Sequence, residues 1–151
     1  MKKIALLIAG LLVSLIVVSQ NKKIVFVCEH GSAKSMIATA YFNKLAREKN
    51  LPWEAISRGT NPDEAISLKT KQLLQDDHLL DEKLKPQKIS QADINEAEQV
   101  VLFYTLPENI QGKNNTQHWL GISAVNGDYQ KLRDEIVNKV VNPLIDSLKK
   151  Q

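Results

Sequence analysis

Cys28 is the only cysteine in the chain, and it stands where an apolar run meets a Gly-Ser turn. The surrounding residues read Lys22-Lys23-Ile24-Val25-Phe26-Val27-Cys28-Glu29-His30-Gly31-Ser32-Ala33-Lys34-Ser35. A short loop here separates the end of a β-branched, strand-like run from the first turn of a helix-forming segment. Such a loop aims several unpaired backbone N–H groups at one point, and the helix dipole adds positive potential there. An anion sits well in that place. A thiol beside it loses its proton more readily than a free thiol, because the thiolate is an anion too. The chemistry this spacing points to is a nucleophile, Cys28, beside an oxyanion cradle formed by Glu29, His30, Gly31, Ser32, Ala33, Lys34 and Ser35.

Each loop residue carries its own expectation. Gly31 tolerates the positive φ such a loop requires. Ser35 either donates a hydrogen bond to the sulfur or caps the helix start with no chemical part, and the residue types allow both. Glu29 brings a negative charge near the anion site, so its side chain is expected to face solvent. His30 reads as a loop residue that tunes the thiol. Cys28 and His30 lack the second ligand pair of a zinc motif, so no metal is expected.

Alternating elements must position this loop. Residues 24–27 read as the first strand. Residues 34–49 carry a helical stripe through Met36, Ile37, Ala40, Tyr41, Leu45 and Ala46, and Asn50-Leu51-Pro52 stops it. A second strand is expected over 53–57. Turn residues follow at Gly59-Thr60-Asn61-Pro62-Asp63, with Asp63 suited to cap a helix over 64–75 that turns Ala65, Ile66, Leu68, Leu73 and Leu74 inward. Ser90 is placed to cap a short helix holding Ala92, Ile94 and Ala97. Strands are expected at 99–104 and 117–120, with a mobile loop at 111–116. The closing helix, 128–148, presents Tyr129, Leu132, Ile136, Val140 and Ile145 inward, and Pro143 is expected to kink it. Strands alternating with helices imply a parallel sheet covered on both faces.

The whole chain bounds the reading. At 151 residues, 43% hydrophobic and 25% charged, it is one globular domain with room for a core. Lys2-Lys3 followed by the apolar stretch 4–18 has the form of a secretory signal. The stretch is shorter than the roughly 20 residues that span a bilayer comfortably. The expectation is export, with residues 1–19 as a signal peptide or an uncleaved anchor and the membrane touched only there. Of the 20 basic side chains those two lysines lie outside the domain, and the remaining 18 face 17 acidic ones. That balance argues against a nucleic-acid partner. A lone cysteine in an exported chain is a buried hydrophobe, an intermolecular bridge or a working thiol. Its place at a strand's carboxyl end favours the last, and a monomer is expected.

The order of motifs resembles the low-molecular-weight protein tyrosine phosphatases and the related arsenate reductases. Val27-Cys28, five residues, then Lys34-Ser35 is similar to their Cys-x5-Arg-Ser phosphate loop. Ser57-Arg58-Gly59-Thr60 resembles their Ser-Ala-Gly-Thr segment, and residues 92–101 their aspartate, helix and apolar strand. His118-Trp119 and the closing helix fit the domain's end, so the likeness runs from about residue 22 onward. The resemblance implies a small Rossmann-like three-layer α/β sandwich with four parallel strands, the first central and helices on both faces. It also implies phosphomonoester hydrolysis through a phosphocysteine, without a cofactor, acting on phosphate or a phosphorylated substrate. Cys28, Lys34 and Ser35 would be catalytic, and residues 29–33 would bind the phosphate.

Two positions depart from the pattern. Lys34 replaces the arginine, and an ammonium cannot form the paired bonds that a guanidinium makes to phosphate. Arg58, at the family's alanine position, is the candidate to supply the missing guanidinium; the plainer reading is a solvated surface arginine. The Asp-Pro general acid has no counterpart in Gly121-Ile122-Ser123-Ala124-Val125. Asp128 lies near its place but follows Gly127 at a helix start, where it reads as an N-cap. These departures support a rival, a non-catalytic module that captures oxyanions or phosphoproteins. Thioredoxin-coupled arsenate reduction would need further cysteines in the same chain.

Overall fold

A computed structural model describes residues 20–123 and 126–150. The leader-like residues 1–19 lie outside it, as do Ala124 and Val125; among the described residues no helix is long and apolar enough to cross a membrane. Four parallel strands form one sheet in the order β2-β1-β3-β4: β1 (Lys22–Cys28), β2 (Trp53–Gly59), β3 (Gln99–Leu102) and β4 (Thr116–His118). The first strand is interior, as the sequence led us to expect, and its five consecutive buried residues explain the unbroken apolar run.

Alternation along β1 divides the core. Ile24, Phe26 and Cys28 face a large cluster built with α1 (Lys34–Glu48), α2 (Leu68–Asp76), α4 (Tyr129–Ile136) and α5 (Asn142–Leu148). Val25 and Val27 face a smaller one under α3 (Gln91–Glu96). Phe26 lies edge-on to Phe42 of α1 and stacks on Phe103, with ring centroids 5.9 and 6.1 Å apart. This fixes the end of β3 next to the loop after β1.

Several boundaries differ from those expected. Helix α2 begins four residues later than read, because Ser67 rather than Asp63 accepts the cap bond, from the Thr70 amide at 3.1 Å. Leu68, read as inward, is therefore at the first turn and 84% exposed. Helix α3 starts as read, with Ser90 and Asp93 forming a reciprocal capping box. Around Pro143 the closing helix is interrupted by a π-turn over Val137–Val141 just before it. Proline has no N–H to give, and its ring would collide with the preceding turn of a regular helix; the wider turn accommodates both.

The outer side of β2 is closed by side chains and turns. Asn43 of α1 brackets Ala55, accepting from its N–H at 2.7 Å and donating to its carbonyl at 3.0 Å. The Ser57 carbonyl accepts from Arg58 Nη1, and Gly59 exchanges bonds with the Gln87 carbonyl and the Ile89 N–H.

Candidate active site

Cys28 ends the central strand, and the loop 29–33 carries the chain into α1. Four carbonyls of this loop region are taken from outside. Cys28 O accepts from the Thr60 N–H, Glu29 O from Asn61, His30 O from Asp63, and Ser32 O from Ser67, at 2.8–3.2 Å. The N–H and C=O of a trans peptide point in opposite directions. Fastening those carbonyls outward therefore turns the N–H groups of residues 29, 30, 31 and 33 inward. Gly31 shows the result directly: its N–H donates to Cys28 Sγ at 3.2 Å. The first amides of α1 join the same bowl, since its N-cap, Ala33, has no side chain to satisfy them.

Two glycines permit this curvature. Gly31 has φ +61°, and Gly59 lies back to back with it. A Cβ on Gly59 would stand 2.8 Å from Gly31 N and 3.0 Å from Glu29 O, both backbone atoms with no freedom to yield.

Cys28 is buried, and its sulfur lies at the floor of the bowl 3.0 Å from Ser35 Oγ. Ser57 donates to Ser35 at 2.8 Å, which leaves the Ser35 hydrogen for the sulfur. Of the two readings of Ser35, the geometry selects the bond to the thiol. Above the floor is a cavity of about 470 Å³, walled by Phe103, Tyr104 and Tyr129 and rimmed by Glu29, His30, Lys34 and Asp63. Glu29 is half-exposed at the rim, where its Oε2 lies 3.6 Å from His30 Nε2.

Lys34 reaches into the cavity wall, where its ammonium donates to the Ile122 carbonyl at 2.9 Å. Arg58 does not supply the missing guanidinium, nor is it a solvated surface residue. Its Nε and Nη2 bond Asp93 Oδ1 at 3.0 and 2.8 Å, and the pair is largely covered. Residues alternate faces along β2, so Arg58 leaves the sheet on the side of α3, away from the bowl. Burial raises the pKa of Asp93, but the bonds from Arg58 and Ser90 outweigh it and hold the carboxyl below its ordinary value. Asp128 caps α4 by accepting from the Lys131 N–H at 2.9 Å and faces a different cavity, as its N-cap reading requires. His118 is exposed and Trp119 packs against the core. Among the described residues no three His, Cys, Asp or Glu side chains converge closely enough to hold a metal ion.

The site also holds residues that the sequence reading placed elsewhere. Asp63, read as a helix cap, sits on the rim, where Oδ2 accepts from Ser32 Oγ at 2.5 Å. Tyr129, read as core, closes one wall and receives a bond from Ser67 Oγ at 3.3 Å. Residues 60–67 brace the loop through their amides, a role that leaves no mark on side-chain type.

A parallel α/β sheet with a lone cysteine at the carboxyl edge of an interior strand, where the chain turns into a helix, defines a class: Rossmann-like proteins with a cysteine at the strand-to-helix loop. The chain belongs to the low molecular weight phosphotyrosine protein phosphatase family, whose model matches residues 23–118. Membership supports a cysteine-based, phosphatase-like function on phosphorylated substrates. No curated protein matches the chain.

Solved structures share the fold at low identity. The low molecular weight protein tyrosine phosphatase of T. tengcongensis is 20% identical with a TM-score of 0.66, over 86% of this chain and 99% of that one. The YwlE arginine phosphatase of Geobacillus stearothermophilus is 22% identical with a TM-score of 0.67, over 85% and 94%. The thioredoxin-dependent arsenate reductase of Corynebacterium glutamicum is 19% identical with a TM-score of 0.70, over 88% of this chain but only 64% of that one.

Proposed function

We propose that the chain hydrolyses phosphomonoesters, of the aryl type first, through a phosphocysteine at Cys28. The observation that carries this reading is the placement of the sulfur, 3.0 Å from Ser35 Oγ and 3.2 Å from the Gly31 N–H at the base of the amide bowl. Donors so placed favour the thiolate, and the other amides of the bowl are free to hold the equatorial oxygens of a phosphoryl group while it attacks phosphorus. Lys34 adds a cation, and the aromatic walls suit an aryl leaving group. The Lys2-Lys3 and apolar 4–18 pattern supports export of the domain, whose substrate would then be met outside the cytoplasm.

A second reading, an oxyanion-binding module without turnover, is favoured by one observation. The Lys34 ammonium is bonded to Ile122 O, and no carboxyl from 121–123 stands over the cavity. Release of nitrophenol from p-nitrophenyl phosphate, abolished in Cys28→Ser, is the expected result for hydrolysis. Thermal stabilisation by phosphate with no release at any pH would replace it with the binding module.

A further inference from the structure

We propose that His30, oriented by Asp63, is the proton-transfer group of this site; the inference rests on the phosphatase reading above. Cleavage of a monoester needs a proton at the leaving oxygen. Residues 121–123 offer no carboxyl, and Asp128 is engaged as a helix cap. The cavity itself carries a candidate.

His30 lies two residues beyond Cys28, lines the same cavity and has its side chain 53% exposed, open to proton exchange with water. Its Nδ1 lies 3.3 Å from Asp63 Oδ1. Asp63 is held from two directions. Its N–H donates to the His30 carbonyl at 3.0 Å, and its other carboxylate oxygen accepts from Ser32 at 2.5 Å. A carboxylate fixed against one ring nitrogen sets the ring's orientation and leaves the other nitrogen to give or take a proton. That other nitrogen, Nε2, is 3.6 Å from Glu29 Oε2, beyond hydrogen-bonding distance. The charged groups near the ring are thus Glu29 on its own loop and Asp63 from the β2–α2 connection, and Cys28, Lys34, Tyr104 and Tyr129 are the other titratable groups lining the cavity. Imidazole is the side chain that serves as both acid and base near neutral pH.

The steps balance. Cys28 thiolate attacks phosphorus, the S–P bond forms, the P–O bond to the leaving group breaks, and that oxygen takes the Nε2 proton. Water then attacks the phosphocysteine and gives a proton to neutral Nε2. The S–P bond breaks, inorganic phosphate departs, and thiolate and imidazolium are restored. His30 is the catalytic residue; Asp63 positions it.

The experiment compares rapid release and steady-state turnover of p-nitrophenyl phosphate and phenyl phosphate by the wild-type chain, His30→Gln and Asp63→Asn. Nitrophenolate leaves without protonation, so its burst in His30→Gln should keep its rate while the steady state slows. Phenol release should fall about 10²–10⁴-fold with KM unchanged, and the alkaline limb of its pH profile should vanish. Asp63→Asn, which keeps its backbone bond to the loop, should show a smaller loss of the same pattern. Equal losses of the first-release rate for both leaving groups, or no loss of either rate for either ester, would overturn the assignment while leaving hydrolysis intact. A wild-type chain that releases neither nitrophenol nor phenol would remove the phosphatase reading and this one with it.

Discussion

Lys34 holds the Ile122 carbonyl while lining the cavity above Cys28. A flexible four-carbon stem lets one ammonium exchange that neutral acceptor for an anion, at a cost of about 1 kcal/mol for the bond given up. Lys34→Ala should therefore leave the melting temperature of the free protein little changed. It should abolish the rise produced by phosphate and lower nitrophenyl phosphate turnover about 10²–10³-fold. Calorimetry with and without phosphate, beside initial rates, checks this; full retention of the phosphate effect would mean that the amides hold the anion alone. At this scale the sequence was legible where residues are contiguous. Cys28, Gly31, Lys34 and Ser35 follow one another along a single strand-to-helix turn, so their spacing carried their geometry. Arg58 was not legible, because its partner Asp93 lies 35 residues away on α3 and only the tertiary fold brings the two together. Asp63 was misread because aspartate before a helical pattern suits a cap equally well, and Ser67 took that place.

Among the elements, the end of β2 does as much for the loop as β1 does. Gly59 packs its bare Cα against the peptide of Gly31, and Thr60, Asn61 and Asp63 then fasten three loop carbonyls in succession. Gly59→Ala forces a methyl group to within 2.8 Å of backbone, so the loop must move. We expect a stability loss of about 1–3 kcal/mol together with loss of phosphate protection of Cys28 against iodoacetamide. Denaturant titration and timed alkylation measure the two. Protection at wild-type strength would show that the bowl tolerates displacement. Strand and helix order could be read from β-branched runs and apolar stripes, and α3 from the cap at Ser90. The π-turn could not, because a proline marks only where a helix is disturbed and not how the turn responds.

Over the whole molecule, three carboxyls tie separate elements together and share one pH signature. Tyr41 and then Arg133 lower the pKa of Asp77, opposed by partial burial, and Asp93 is lowered by Arg58 and Ser90 against its burial. Lys139, followed by Ser123, brings Glu135 down to about 2. A carboxyl whose folded pKa is depressed stabilises the fold fully above its unfolded value and loses that contribution as pH falls through the folded one. Stability should accordingly be level above the ordinary values of 4.5 and 3.8 and decline as pH drops from there toward 2. Thermal melts across pH 2–7 test the sign, and a melting temperature that climbs on acidification would contradict it.

An open sheet ends in a strand whose outward amides and carbonyls invite another chain to add itself. On β2 those groups are answered within the molecule: the Trp53 N–H by the Leu51 carbonyl, both groups of Ala55 by Asn43, the Ser57 carbonyl by Arg58, and Gly59 by the passing backbone. The same arginine that fails to reach the bowl around Cys28 thus helps seal the border of the sheet. A folded copy meeting its neighbour there finds few vacant partners for strand-to-strand growth, so crowding alone gives this border little reason to polymerise.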